Sequence, residues 1–255
     1  MIVNEFFIQR IFIDTKMNYN STILIYSGGM DSTVLLYELL KKDFLVRCLS
    51  IDYGQKHKKE LIQASEICHS LRVKQKLIDL SNLNGLFSNS SLVNTSQAIP
   101  EGHYEKDSMK ATVVPNRNMI LLSLATAWAI NTKSDTVSYA AHSGDHAIYP
   151  DCREPFATGM DYVMQLCDWQ KISLNRPFVD FSKADICQLG ARLDIPFEKT
   201  WSCYKGLEKH CGRCGTCIER REAFHLAQVK DPTEYAKDAP SIEQMLETQW
   251  KLPEE

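Results

Sequence analysis

Ile23-Leu24-Ile25-Tyr26-Ser27-Gly28-Gly29-Met30-Asp31-Ser32-Thr33-Val34-Leu35-Leu36 is the stretch on which the fold turns. An apolar run ends at Tyr26, and a helical pattern runs from Thr33 to Leu40. A buried strand therefore gives way to a helix across Ser27–Ser32. Backbone N–H groups and the helix dipole at such a junction can hold phosphate. Gly28 and Gly29 let the main chain curl and approach a ligand closely. Ser27 and Ser32 add hydroxyls. Asp31 is an acid beside an anion site, which fits either a helix cap or a carboxylate that helps hold Mg²⁺. The loop lacks the G-K-[ST] of a P-loop and the G-x-G-x-x-G of a dinucleotide fold. An ordinary capped turn is the bland alternative, and the strand–SGGxDS–helix context weighs against it.

Outward from this loop, strands and helices alternate. Thr22–Tyr26, Leu45–Ile51, Gln75–Asp79, Thr136–Ala140 and Ile172–Leu174 read as strands. Thr33–Lys42, Lys56–Leu71, Arg117–Asn131, Glu154–Cys167, Ser182–Leu193 (Ser182 as N-cap) and Ile218–Val229 read as helices by apolar periodicity. The order predicts a doubly wound, mostly parallel five-stranded α/β sheet. Residues 81–114 break the rhythm with Ser, Asn, Pro100 and Gly102. They read as a substrate lid or insertion, or equally as a disordered surface loop. The expected organisation is an N-terminal extension over 1–19, an α/β domain over 20–196 carrying that insertion, and a smaller C-terminal region over 197–255. Met1 to Ile13 makes a poor signal peptide, and residues 1–16 read as a dispensable extension or Met17 as the real start.

The chain has 255 residues, 44% of them hydrophobic, and a net charge of −3. This weighs against a broad nucleic-acid surface, so no direct nucleic-acid partner is expected. No apolar run reaches a membrane span. Of nine cysteines, Cys203, Cys211, Cys214 and Cys217 follow C-x7-C-x2-C-x2-C. Four local thiolates suit a closed, structural Zn²⁺ site; an iron–sulfur cluster and a redox pair are the alternatives. Gly206, Gly212 and Gly215 supply tight backbone, and His210 reads as a loop residue. Such a cluster places the protein in a reducing, cytoplasmic compartment. Cys48, Cys68, Cys167 and Cys187 read as small core residues.

Three further stretches carry chemistry at predicted strand ends, where ligands of open α/β sheets bind. They are Asp52 to His57, Val114 to Asn118, and His142 to Arg153. Arg117 and Arg153 offer bidentate pairing to phosphate or carboxylate. Asp145 and Asp151 can accept hydrogen bonds from a purine-like base. His142 and His146 make a weak metal pair, since their loop contains Gly144. Cys152 reads as structural or substrate-contacting. Each of these residues alone is equally well a solvated loop residue.

The loop resembles that of the ATP-pyrophosphatase superfamily, whose members cleave ATP between the α- and β-phosphates and adenylate a substrate. SGGxDS, DYGQxH, VPxRN, YPDCR, P-x5-K-A-x-I (Pro177 to Ile186), SCY and CGxCxxCxxR together resemble the 7-cyano-7-deazaguanine synthase family of the queuosine pathway, from about Thr22 to about Phe224. The chain departs from that pattern at Met30, where Gln is common, in the loop AAHSGDHAIYPDCR, and in the insertion before Arg117. The resemblance implies ATP, Mg²⁺ and structural Zn²⁺ as cofactors, with 7-carboxy-7-deazaguanine and ammonia as small-molecule substrates. Tyr26, Ser27, Gly28, Gly29, Met30, Asp31, Ser32 and Thr33 would serve the ATP phosphates, with Val34, Leu35 and Leu36 packing beneath. Leu49 to Tyr53 would frame the adenine. Asp31, Arg117 and Lys183 are the catalytic candidates, and Asp145, Tyr149, Asp151 and Arg153 the substrate-binding ones. No general base is legible. A tRNA-modifying adenylase, a related deazaguanine ligase of phage or antiphage systems, and a non-enzymatic zinc-stabilised nucleotide-binding module remain alternatives. The weak amphipathic helix over Ser241–Leu252 is a candidate homodimer contact.

Overall fold

The computed structural model describes residues 20–252; the expected extension over 1–19 and the alternative start at Met17 lie outside them. Five parallel strands are β1 (Ser21–Ile25), β2 (Leu45–Asp52), β3 (Lys74–Asp79), β4 (Thr136–Ser138) and β5 (Ser173–Asn175). Their order across the sheet is β3-β2-β1-β4-β5. The chain runs one way from β1 and the other way from β4. The crevice between the carboxyl ends of these two strands is therefore the topological switch point, where open α/β sheets bind ligands.

Helices cover both faces: α1 (Met30–Lys41), α2 (Lys59–Ser70), α3 (Arg117–Thr132), α4 (Glu154–Met164) and α5 (Lys183–Arg192). Side chains alternate across a strand, so neighbours in β1 enter different cores. Leu24 packs with Val34, Ala64 and Ile186, from α1, α2 and α5. Ile23 packs with Leu122, Ala129 and Ala157, from α3 and α4. Val34, Leu35 and Leu36 are fully buried beneath the Gly-Gly loop, as expected. α5 begins with a full capping box, in which the Ser182 hydroxyl accepts from Asp185 N and the Asp185 carboxylate accepts from Ser182 N. The box fixes the first turn and thereby the Cα of Lys183.

The insertion over 81–114 is packed. Phe87, Leu92, Val93 and Val114 form a small core of their own with Tyr53, Ile120 and Tyr204 against it. Ser90 and Ser91 are buried and tied to 111–112, Ser90 Oγ donating to Thr112 O at 3.1 Å and Ser91 N to Ala111 O at 2.7 Å.

One expectation fails. Cys167 is exposed rather than in the core, because α4 ends at Met164 and the chain turns outward before it. The C-terminal segment buries part of its apolar side and leaves Ile242 and Leu246 exposed. Helix α7 (Ile242–Glu247) and the residues after it bury Met245, Trp250 and Leu252 against Ile218 of helix α6 (Gly215–Leu226). Among the described residues, no helix is long and apolar enough to cross a membrane.

Candidate functional site

Loop Ser27–Gly29 lies at the carboxyl end of β1 and is wound tightly. Gly28 has φ +86°, and a Cβ there would stand 2.2 Å from the carbonyl oxygen of Glu60. Only glycine lets α2 press against the loop. Gly29 N donates to Ser27 Oγ at 3.1 Å, and Thr33 Oγ1 donates to Gly29 O at 2.8 Å. The Tyr26 hydroxyl stands 3.2 Å from Thr33 Oγ1, and the Ser27 and Ser32 hydroxyls are 3.2 Å apart. Gly29 is the N-cap of α1, so Asp31 does not cap the helix. Its carboxylate instead accepts from Lys183 Nζ at 2.6 Å. Burial pushes the Asp31 carboxyl up, but Lys183 and His142 outweigh it and hold the group below the usual carboxylate range. The other oxygen, Oδ1, is buried and has no hydrogen-bond partner. An orphaned carboxylate oxygen facing a phosphate-type loop fits a hard cation such as Mg²⁺.

Lys183 is the hub of this end. Its ammonium also lies 3.4 Å from Glu219 Oε2 and 3.2 Å from His142 Nε2. Burial opposes its charge, yet Asp31 and Glu219 raise its pKa above the ordinary value. His142 is 1% exposed; Gly144 N donates to its Nδ1 at 3.1 Å, which leaves Nε2 toward Asp31, Asp145 and Glu219 at 3.9, 3.5 and 4.0 Å. His142 thus packs among the charged groups of this cluster and is not paired with His146 as a metal site. Neither His142 nor Glu219 was assigned a site role from sequence. Glu219 sits in α6 between Cys217 and Arg220 and reads there as an ordinary helical acid.

The other end of the cavity is aromatic. Val114-Pro115-Asn116 turns with Asn116 in the left-handed region at φ +59°, and this aims Arg117, first residue of α3, inward. The Arg117 guanidinium lies 5.8 Å from the centre of the Tyr149 ring, with the Tyr53 hydroxyl beside it. Tyr149 OH is 2.6 Å from Thr112 Oγ1 and 3.2 Å from Tyr204 OH. Asp145, Asn118, Tyr53, Tyr204 and Cys152 line the same cavity as Ser27, Gly29, Met30, Asp31, Ser32, Arg117 and Lys183, with Leu49 and Ile51 on its floor. Burial pushes the Cys152 thiol up, away from nucleophilic use. Tyr149, Asp151 and Arg153 stand outside this lining. Asp151 Oδ2 accepts from Asn118 N at 3.0 Å, and Arg153 is exposed, its Nε donating to His146 O at 2.7 Å.

The roof comes from the cysteine lobe. The thiols of Cys203, Cys211, Cys214 and Cys217 are buried and lie within 4.8 Å of one another. Main-chain N–H groups of Cys211, Arg213 and Cys214 donate to cysteine sulfurs at 3.3–3.4 Å. Four converging thiols with N–H donors suit a closed thiolate site for a metal ion. His210 stays outside the set: it stacks on Trp201 at 4.1 Å and accepts from Ser202 N at 3.1 Å. Trp201 N donates to Gly28 O at 3.2 Å, joining the lobe to the loop. Glu101 of the insertion pairs with Lys205 and with Arg213 on either side of the cluster.

A phosphate-type loop and an arginine-and-tyrosine pocket thus share one cavity, which Trp201, Ser202, Tyr204 and Thr216 of the cysteine lobe also line. A family model described as queuosine biosynthesis protein QueC matches residues 21–228. The chain belongs to this family. It is 47% identical over 214 residues to a protein of Colwellia psychrerythraea named 7-cyano-7-deazaguanine synthase 2, covering 84% of this chain and 98% of that one. It is 50% identical over 213 residues to the 7-cyano-7-deazaguanine synthase of Methanoregula boonei, covering 84% and 98%. Among solved structures, NMN synthetase from Francisella tularensis is similar with a TM-score of 0.47 and 14% identity, over 90% of this chain and 82% of that one. The family match includes all four cysteines, the loop after β1, and Lys183.

Proposed function

We propose that this protein is an ATP-dependent carbon–nitrogen ligase that converts 7-carboxy-7-deazaguanine and ammonia into 7-cyano-7-deazaguanine, in queuosine biosynthesis. The observation that carries the reading is the union, in one cavity, of the Ser27–Ser32 loop with the Arg117 and tyrosine pocket, in a chain about half identical to proteins named for this reaction. The carboxylate of the substrate attacks the α-phosphate of ATP, giving an acyl-adenylate and pyrophosphate. Ammonia displaces AMP and leaves the amide. A second activation at the amide oxygen, followed by elimination, gives the nitrile.

The work of the protein is positioning and charge stabilisation. Ser27, Gly28, Gly29, Met30, Ser32 and Thr33, backed by Tyr26, hold the phosphates, with Val34, Leu35 and Leu36 as the packed base of the loop. Asp31, with its orphaned oxygen, would hold Mg²⁺, which would shield the charge of the phosphates. Lys183 stabilises negative charge as it builds on the α-phosphate and the departing pyrophosphate during adenylyl transfer. Arg117 holds the substrate carboxylate in its fork. Asp145 accepts from the deazaguanine edge, while Tyr149, Asp151 and Arg153 act from behind, Asp151 by setting Asn118. The four cysteines hold structural Zn²⁺. The insertion serves as a fixed wall through Leu92. The partners are small molecules and a second copy of the chain, which would meet the exposed Ile242 and Leu246 of the C-terminal helix; sedimentation as a monomer would remove that last element.

The test is mass spectrometry of products from ATP, ammonia and the deazaguanine acid, with nitrile expected and an unchanged acid overturning the reading. Cys214→Ser should lose zinc and thermal stability together; a stable, metal-free, active variant would contradict a structural site.

A further inference from the structure

Glu60 stands in the first turn of α2, against the Gly-Gly loop. Its Oε1 lies 3.9 Å from where a Cβ on Gly29 would be, and its side chain lines the cavity. The other carboxylates at this end have close nitrogen partners. Asp31 and Glu219 face Lys183, and Asp145 faces His142. The Glu60 carboxylate makes no hydrogen bond or ion pair with any described residue; Arg117 and Lys183 attract it from a distance, and Asp31 and Cys203 repel it. A lone acid beside a phosphate-binding loop is repelled by every anion the loop receives. It becomes useful there if the reaction brings it a small cation.

The proposed ligase reaction brings one. Near neutral pH, ammonia is almost wholly ammonium, which has no lone pair and cannot attack. We propose that Glu60 receives ammonium beside the acyl-adenylate and takes its proton as the general base. The inference rests on the ligase reading above. The Glu60 carboxylate breaks one N–H bond and becomes the acid, and the freed lone pair forms the new C–N bond at the acyl carbon. The C–O bond to AMP then breaks, its electron pair leaving with the phosphate. The nitrogen sheds its second proton to water, and Glu60 returns its own to solvent. Burial pushes the Glu60 carboxyl up to about 7, near the pH at which it would have to work, where general bases are most effective.

The zinc-loaded, full-length E60Q variant tests this. Acid-dependent ATP–pyrophosphate exchange should stay within about twofold of wild type, while ammonia-dependent amide formation falls on the order of 10²-fold or more, the usual contribution of a general base. Hydroxylamine, which is neutral at the same pH, should still capture the adenylate at close to the wild-type rate. The residual ammonia reaction of E60Q should rise with pH in proportion to free ammonia, and E60D should recover part of the loss. Equal loss of exchange and amide formation would overturn the inference and make Glu60 a holder of metal or substrate. Unchanged amide formation, or hydroxylamine capture as poor as ammonia capture, would also overturn it. Wild-type enzyme run alongside separates the two failures: a wild type without exchange sinks the ligase reading and this inference with it, whereas a normal wild type leaves only Glu60 in question.

Discussion

The two ends of the cavity solve different problems. At the Asp31 end, charges are paired with charges before any ligand arrives: Lys183 is shared by Asp31 and Glu219, and His142 closes the group. At the Arg117 end, one guanidinium lies among the hydroxyls and rings of Tyr53, Tyr149 and Tyr204. Removing one partner of a buried ion cluster leaves an uncompensated charge, which costs several kcal/mol. Removing one hydroxyl from a chain of neutral hydrogen bonds costs about 1 kcal/mol. The ionic end is therefore brittle and suited to the one geometry of adenylyl transfer. The aromatic end is graded and suited to holding a flat, neutral ring.

The sharpest way to break this contrast is Asp31→Ala. It frees Lys183 and removes the oxygen offered to a cation, and acid-dependent ATP–pyrophosphate exchange should fall on the order of 10³-fold or more, with zinc content intact. Exchange at the wild-type rate would remove Asp31 from the mechanism. Next comes Arg117→Lys, which keeps the charge and loses the fork. Its kcat/KM for the deazaguanine acid should fall roughly 10- to 100-fold, the range set by about 1.5–3 kcal/mol for a charged hydrogen bond. A pure kcat effect would move Arg117 to the adenylyl-transfer step. Tyr204→Phe probes the graded end. It should cost tenfold or less in kcat/KM and lower Tm by only a few degrees, since about 1 kcal/mol is 2–4 °C in a chain this long. A loss matching that of Asp31→Ala would erase the distinction between the ends.

The smallest effect is one of pH. His57 lines the cavity, and burial, aided by Lys59, lowers its pKa to about 4. The unfolded chain takes up this proton near pH 6.5 and the folded one only near 4. Between those values the unfolded state binds more protons, so stability falls as pH drops from about 6.5 toward 4. Urea midpoints measured across that window should lose part of their slope in His57→Phe. An unchanged slope would show that other groups set the acid limb.

What the sequence reveals follows from how local each feature is. The thiol cluster is legible because four ligands lie within one short stretch, a loop and the first turn of α6, and their spacing brings them together. The fold is legible because β1, the Gly-Gly turn and α1 are contiguous, and the strand–helix alternation then fixes a parallel sheet. The ion cluster is not legible as a cluster. Asp31, His142, Lys183 and Glu219 come from four separate elements, and Glu219 has the sequence context of any surface helix. Asp31 itself looks like a cap until the position of Gly29 shows that the helix has already begun. Tyr149, Asp151 and Arg153 sit together in one motif, yet the 3₁₀ turn Pro150–Cys152 sends their side chains to different neighbours. Glu60 carries no signal in sequence because its significance is a missing partner, and absence of contact is a property of space alone.

One main-chain hydrogen bond, from Trp201 N to Gly28 O, joins the thiol lobe to the loop without any side chain. It cannot be removed by ordinary substitution, and it makes the lobe and the loop parties to a single equilibrium. By reciprocity, any factor by which an occupied thiol site tightens nucleotide binding is the factor by which nucleotide tightens the hold on the metal. The metal then does more than hold the lobe together. With such a coupling, molecules engaged with nucleotide would be the last to surrender the metal when it is scarce.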